Sequence, residues 1–504
     1  MPFNVHYVGI MLWLALYLPR LPLEVFPSLP SPKAIVSRER VVVADRAASS
    51  AGVMPGLRLA EAWAFLPTLA VQQRDCEREQ LALTRLAYWA GGFTSEICCL
   101  PPQTLLLEVA ASLRLFGGAT ALFERIVSGC AEQGFAPQAA LAPTPLAAQW
   151  LALAGDNEPC LDSAELPLRL GRLPLAALDF SPQKQARLGS FGARLLADVL
   201  CLPRAGLARR LGPAFVTDLA RALGDFPDPR PRFVFPERFV ERLELPMRTD
   251  NAIALGFAGR RLVASLCGWL AARAEGISEC RFEFAHERST EQRSATVLAL
   301  AFSTATRDPE RISRVLIERL QRLELPAAVD AIRLRAEAPE ALPGRASSLF
   351  GEHGEGAGGD SVAALVERLQ ARLGSGSVHV LAVVAEHRPE NASRRVTSAL
   401  LAGERIATKL FADSRVSLKE SAPRPLWLLA RPQALRETAG RPQCGGSLRL
   451  LAGPERIESG WWDAAEPDAL GDVRRDYFVA ISIRQEWLWI FRCRAGWFLH
   501  GVFA

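Results

Sequence analysis

Lysine is nearly absent from this 504-residue chain. Lys33, Lys184, Lys409 and Lys419 are the only four among 59 basic residues, so arginine carries the positive charge. A GC-rich genome would produce that bias. Its consequence is a set of planar, permanently charged cations suited to bidentate phosphate contact. Also missing is any uninterrupted apolar run of the roughly eighteen residues that a membrane span needs, which argues against an integral membrane protein. The ten cysteines include no C-x-x-C pair, and the six histidines sit at no zinc spacing from them. Reduced, structural thiols in a cytoplasmic protein are the expectation, with no metal and no cofactor. No cation precedes the apolar N-terminal stretch and no small-residue cleavage pattern follows it, so a signal peptide is not expected. No Ser/His/Asp or Cys/His arrangement supports a hydrolase. Net charge is only +5, too weak to characterise the whole chain, so the placement of charge carries the information.

Apolar residues make up 49% and charged residues 22% of the chain, an ordinary globular balance. The length allows three or four domains at about 150 residues each. The run Met11 to Tyr17 suits a fully buried strand, and a second strand is expected over Lys33–Ala44. Helices are expected over Leu59–Leu66, Cys76–Ala90 and Ala119–Gln133, with strands at Leu105–Val109 and Ala136–Leu141. This alternation indicates an α/β or α+β core. Residues 166–233 read as helical and basic. Over 181–232 there are nine cations and four acids, an excess equal to that of the entire chain. Such a concentration fits phosphate-backbone binding or a solvated helical surface. Residues 236–338 read as a small α+β unit, with helices over Ala254–Ala274 and Pro309–Leu323 and strands over Glu279–His286, Ala295–Thr304 and Ala328–Glu337. Its 17 Arg balance 16 acids over 232–340, so contact with nucleic acid requires one face to gather the Arg.

Residues 339–361 are Gly-, Pro- and Ser-rich, as a tether is. Inside lies Leu349-Phe350, either a docking peptide or a pair packing back on its own domain. A helix is expected over 362–375. The C-terminal region is dense in aromatics (Tyr477, Trp487, Trp489, Phe491, Trp497), interleaved with Arg474, Arg475, Arg484, Arg492 and Arg494. These could stack bases or form the core of a small β unit.

Several strings resemble the Y-family of translesion DNA polymerases, and most closely its ImuB branch. Val53-Met54-Pro55-Gly56-Leu57-Arg58-Leu59-Ala60-Glu61-Ala62 is similar to the fingers motif G-V-x-x-G-M-x-x-x-E-A. Leu107-Glu108-Val109 with Leu115-Phe116-Gly117-Gly118 resembles the palm motif and its downstream L-F-G. Gly453-Pro454-Glu455-Arg456-Ile457-Glu458-Ser459-Gly460-Trp461-Trp462, Arg475-Asp476-Tyr477 and the ending Trp497 to Ala504 look like the ImuB C-terminal segment. The resemblance covers nearly the whole chain. It implies an α+β right-hand architecture of palm (1–26 and 84–165), fingers (27–83), helical thumb with a degenerate helix-hairpin-helix (166–233) and little finger (236–338). A linker with a clamp-binding peptide (339–361) and a C-terminal interaction region with a small β unit (362–504) would follow.

The family's chemistry needs two divalent metals about 3.5–4 Å apart, held by oxygen ligands. The motifs that supply those carboxylates align here on Ala15 and Tyr17, and on Gln103 and Thr104. A slip of one or two residues restores nothing, because 7–23 and 97–107 contain no Asp or Glu. The nearest acids are Glu24, Asp45, Glu96 and Glu108. The family's triphosphate-binding Tyr and Arg become Arg46 and Ser49, and 131–155 contains no Lys or Arg. The thumb hairpin motif G-x-x-T-h-G-D-L reads Gly192 to Val199, with Ala197 at its second Gly. Gly192, Arg194, Arg204, Arg209 and Arg210 are then the DNA-binding residues. Ala346, Ser347, Ser348, Leu349 and Phe350 resemble the clamp motif Q-L-x-L-F. The expected protein is a non-catalytic scaffold for mutagenic translesion synthesis in DNA damage repair. Its expected partners are DNA, the sliding clamp, a RecA-like ImuA protein and an error-prone C-family DNA polymerase. Two alternatives stand beside it: an active Y-family polymerase using displaced carboxylates, and a DNA-binding repair protein that acts alone.

Overall fold

The computed structural model describes residues 11–286, 295–342, 365–370, 372–374, 377–384, 386–397, 424–459 and 473–503. They fall into two compact units, Met1–Arg372 and Leu373–Ala504. The first is α+β and the second is built on β-sheet.

The first sheet of the first unit has the order Ile97–Leu100, Thr104–Glu108, Trp13–Tyr17, Gln138–Ala142, with every neighbour antiparallel. Its central strand is apolar on both sides because both sides are covered. Leu14 and Leu16 pack with the helices Cys76–Ala90 and Ala119–Glu132. Trp13 and Ala15 pack with the helix Pro145–Ala154 and with the following helical region. Polar side chains fix two of these helix starts: Asp75 accepts from the Arg78 amide at 3.0 Å and Thr144 from the Ala147 amide at 3.2 Å.

The expected single strand from Lys33 to Ala44 is instead a hairpin. Lys33–Ser37 and Arg40–Ala44 pair antiparallel, and Ala70–Gln73 joins Lys33–Ser37 in parallel. The chain reverses at Arg38 and Glu39, whose φ values are +48° and +59°. A two-residue turn needs positive φ at both positions. No Gly or Asn marks this one, so the sequence pattern hides it.

Five α-helices occupy the 166–233 stretch: Leu166–Gly171, Pro182–Ser190, Leu196–Leu200, Arg204–Leu211 and Pro213–Leu223. Their apolar faces join the core of Trp13 and Ala15. A second sheet follows in the order Thr296–Thr306, Glu275–His286, Val329–Ala336, Phe239–Thr249, with Pro339–Ala341 pairing on Glu275–His286. The helices Ala252–Ala272 and Pro309–Leu320 cover one of its faces. Ala252–Ala272 is long and apolar enough to cross a membrane by length and composition, which amends the expectation drawn from uninterrupted runs. Arg260 and Arg261 interrupt it, and 67% of its most apolar stretch is buried within the fold. At Gly268 the helix touches backbone: a Cβ there would lie 2.2 Å from the Tyr88 carbonyl oxygen. Only glycine permits that approach. All ten cysteines are free thiols, and burial pushes Cys99 and Cys280 up to about 12.

The second unit holds a six-stranded sheet in the order Arg441–Gln443, Trp427–Thr438, Gly496–Val502, Trp487–Cys493, Val473–Ile481, Arg449–Ser459. His379–Val383 and Ser393–Thr397 pair separately. The expected β unit is therefore present. Tyr477, Trp489, Phe491 and Trp497 are its buried interior.

Candidate nucleic-acid interface

The first sheet brings three of the four aligned metal-ligand positions to one edge. Tyr17 lies opposite Thr104 on one side and Gln138 on the other. The neighbouring Gln103 carbonyl accepts from the Leu18 amide at 2.9 Å. Ala15 sits two residues further in, about 7 Å along the strand. It is fully buried between Leu106 and Ala140. This edge carries a phenol, a hydroxyl and an amide. Burial, and secondly the Asp179 carboxylate, push the Tyr17 phenol up. Asp179 follows from a contact distant in sequence, which strand alignment had no means of supplying.

The four nearest acids named from the sequence all have structural tasks. Glu24 accepts from the Ala136 amide at 3.0 Å. Asp45 caps the helix Arg46–Ser50, accepting from Ala48 at 2.9 Å and from the Ser31 hydroxyl at 2.6 Å. Glu96 pairs with Arg232 at 2.7 Å. Glu108 accepts from the Leu12 and Ala110 amides. It stands at the other end of its strand from Thr104, about 14 Å away. Among the described residues no group of three or more His, Cys, Asp or Glu gathers where it could hold a metal ion.

The helical region shows the opposite character. Pro182–Ser190 and Leu196–Leu200 flank a turn in which Gly192 has φ +75°. The turn's amides are engaged within it. Gly192 donates to Gly189, and Arg194 and Leu195 both donate to Asp198, at 2.8 and 3.0 Å. These bonds hold Asp198 below the usual carboxylate range. Side-chain charge is thus what the turn offers outward. Arg194, Arg209 and Arg210 are exposed and form no ion pair with an acid among the described residues. Arg210 lies over the Phe191 ring at 5.0 Å or less, its centroid distance being 4.9 Å. Arg204 is exposed but paired with Asp225 at 2.6 Å. Lys184 and Arg187, on the preceding helix, add two more cations to the same hairpin.

The second sheet meets the requirement that one face gather the arginines. Phe282, Phe284, Ile332 and Leu334 turn inward toward the helices. The alternating positions turn outward: Arg242 lies opposite Arg333, and Arg335 opposite Arg281. Arg333 and Arg335 share Glu283 at 3.2 and 2.9 Å, and Arg281 pairs with Glu279. Arg242 has no ion pair among the described residues. Period-two alternation in Arg333-Leu334-Arg335 carried this signal in the sequence.

In the second unit, side chains of the C-terminal motif are paired, at the surface for Arg456 and in the interior for Tyr477. Arg456 makes a two-pronged contact to Asp476 at 2.7 and 3.0 Å. Arg475 reaches Glu390 at 2.7 Å. The Tyr477 hydroxyl meets His500 Nδ1 at 2.8 Å, and its ring stacks on Trp489 at 4.1 Å. Burial pushes the Tyr477 phenol up to about 12. Among the described residues of this unit, the tryptophans left outside are Trp427 and Trp487. The peptide Ala346-Ser347-Ser348-Leu349-Phe350, and Gly460 to Trp462, lie outside the described residues.

No family model matches the chain. It is 28% identical over 479 residues to Protein ImuB of Caulobacter vibrioides strain NA1000 / CB15N, an alignment covering 90% of this chain and 100% of that protein. Protein ImuB of strain ATCC 19089 / CIP 103742 / CB 15 gives the same figures. Among solved structures, a Dbh ternary complex is 15% identical with a TM-score of 0.38, covering 64% of this chain and 98% of that one. DinB from Sulfolobus solfataricus is 14% identical with the same score and coverage. The resemblance to ImuB read from the motifs is borne out across nine-tenths of the chain.

Proposed function

We propose that this chain is a non-catalytic Y-family polymerase-like scaffold for mutagenic translesion synthesis. It holds DNA and the sliding clamp and, with a RecA-like ImuA protein, recruits an error-prone C-family DNA polymerase that joins the nucleotides. In this reading 1–26 and 84–165 are the palm, 27–83 the fingers, 166–233 the thumb and 236–338 the little finger. The linker 339–361 presents Leu349 and Phe350 to the clamp, and 362–504 meets the protein partners.

One observation carries the reading. The palm edge where metal-holding carboxylates belong has Tyr17, Gln103 and Thr104, with Ala15 sealed behind them, and no acid lies in 7–23 or 97–107. Arg194, Arg209 and Arg210 supply unpaired charge for a phosphate backbone, a contact that positions DNA without reading its sequence. A clamp peptide lacking the leading Gln is weak alone and is helped by DNA contacts that raise its effective concentration.

The test is a pull-down of the purified clamp with the wild-type chain and with the Leu349→Ala/Phe350→Ala double variant. The wild type retains the clamp and the variant loses it, along with damage-induced mutagenesis in cells. Undiminished mutagenesis by the variant would instead favour a DNA-binding repair protein that works without the clamp.

A further inference from the structure

A cleft of about 630 Å³ opens between the helix Cys76–Ala90, the residues after Glu24 and the strand Phe239–Thr249. That volume suits a small molecule. Its depth holds Arg85, Glu241 and Arg261. Arg85 Nε lies 3.5 Å from Glu241 Oε1, too far and too poorly aligned for a hydrogen bond. Arg85 Nε, Arg261 Nε and both Glu241 oxygens are buried without a bonded partner, although the Ser265 hydroxyl is beside them. Buried polar atoms left unpaired are costly and call for an occupant.

The charge of that occupant follows from the balance around it. Two guanidiniums share one carboxylate. Burial, and secondly the Arg85 charge, pull Arg261 down to about 10, while burial pushes Glu241 up to about 8. Two guanidiniums against one carboxyl group leave the depth of the pocket with an excess of positive charge. Glu24, at the edge, is raised by burial to about 7. Further out, Arg78 is neutralised by Glu244 at 3.0 Å, and Arg333 and Arg335 share Glu283. Arg242 lines the same cleft with no acid of its own among the described residues. Val25, Leu81, Ala82 and Val240 supply an apolar wall.

We propose that this cleft binds a small phosphate-bearing molecule, its anionic group held by Arg85 and Arg261 in the depth and met at the mouth by Arg242, with its carbon skeleton resting on the apolar wall. None of the residues that line the cleft belongs to the palm-edge positions or to the clamp motif, so its failure leaves the scaffold reading untouched.

Calorimetric titration of the full chain with pyrophosphate and with AMP tests it. Both bind saturably with a Kd of about 1 mM or tighter. Arg242→Ala, an exposed change that leaves the unliganded melting temperature in place, weakens both roughly tenfold. Glu241→Gln, which removes the competing acid, binds at least as well as the wild type. Absence of saturable heat with either probe overturns the proposal, and so does an Arg242→Ala variant of unchanged affinity. A short single-stranded oligonucleotide that displaces AMP from the wild type also overturns it, assigning the cleft to the DNA backbone.

Discussion

Two antiparallel sheets of the first unit use the same materials and reach opposite ends. The sheet around Trp13–Tyr17 is covered on both faces, so Leu14 and Leu16 and also Trp13 and Ala15 lie in apolar cores. The sheet around Glu275–His286 has helices on one face only, and Arg242, Arg281, Arg333 and Arg335 populate the other. Covering a face removes the water that a charge needs, and leaving it bare allows charge to collect. In the first sheet Ala15 and Thr104, two of the positions aligned with the family's metal-ligand motifs, are part of the packing. In the second sheet and in the hairpin around Gly192, arginine side chains face outward instead. In the proposed reading, grip and chemistry are separable because they rest on different elements.

The largest predicted effect comes from forcing charge into the covered sheet. Ala15→Asp places a carboxylate between Leu106 and Ala140, where burial is complete. It should cost on the order of 4 kcal/mol of stability, measured by denaturant unfolding. A variant of undiminished stability that binds Mn²⁺ would erase the contrast. Next in size is reversal of the hairpin charge. Arg194→Glu with Arg209→Glu and Arg210→Glu should lower affinity for primer–template DNA by about a hundredfold, read by fluorescence anisotropy. Unchanged affinity would move the interface away from the hairpin. Raising salt from about 50 to about 200 mM should weaken binding of the wild-type chain roughly as much, equally for unrelated sequences.

A further prediction concerns Glu241. Its folded pKa of about 8 lies above the ordinary carboxylate value, so the folded state binds the proton more tightly than the unfolded one. Its contribution to stability is therefore present at low pH and is lost as pH rises from about 4.5 through about 8. Glu241→Gln should remove that part of the decline. Thermal melts of both forms across this window check it, and parallel curves would show that Glu241 does not titrate there.

The same contrast explains what the sequence made legible. The covered strand reads as the continuous run Trp13-Leu14-Ala15-Leu16-Tyr17, and the one-sided strand as the alternation Cys280-Arg281-Phe282-Glu283-Phe284. The helix Cys76–Ala90 matches its sequence reading at both ends, because Asp75 announces the start. The Arg38-Glu39 turn was hidden, since neither residue advertises positive φ. The strand Phe239–Thr249 was missed: its long polar and Pro-bearing stretch, ending Glu244-Leu245-Pro246-Met247-Arg248, lacks a clean period. The absence of acids from 7–23 and 97–107 was readable directly. Asp179 near Tyr17 and the meeting of Arg85, Glu241 and Arg261 were not, because those contacts join residues far apart in the chain, and no local pattern encodes them.

The account turns on primer extension by the purified chain, free of any partner, with a labelled primer–template and all four nucleotides in Mg²⁺ or Mn²⁺. The labelled primer is predicted to be bound, as a gel shift reads, and to stay at its original length. Template-directed lengthening of that primer, lost when Arg194, Arg209 and Arg210 are reversed to Glu, would contradict the account.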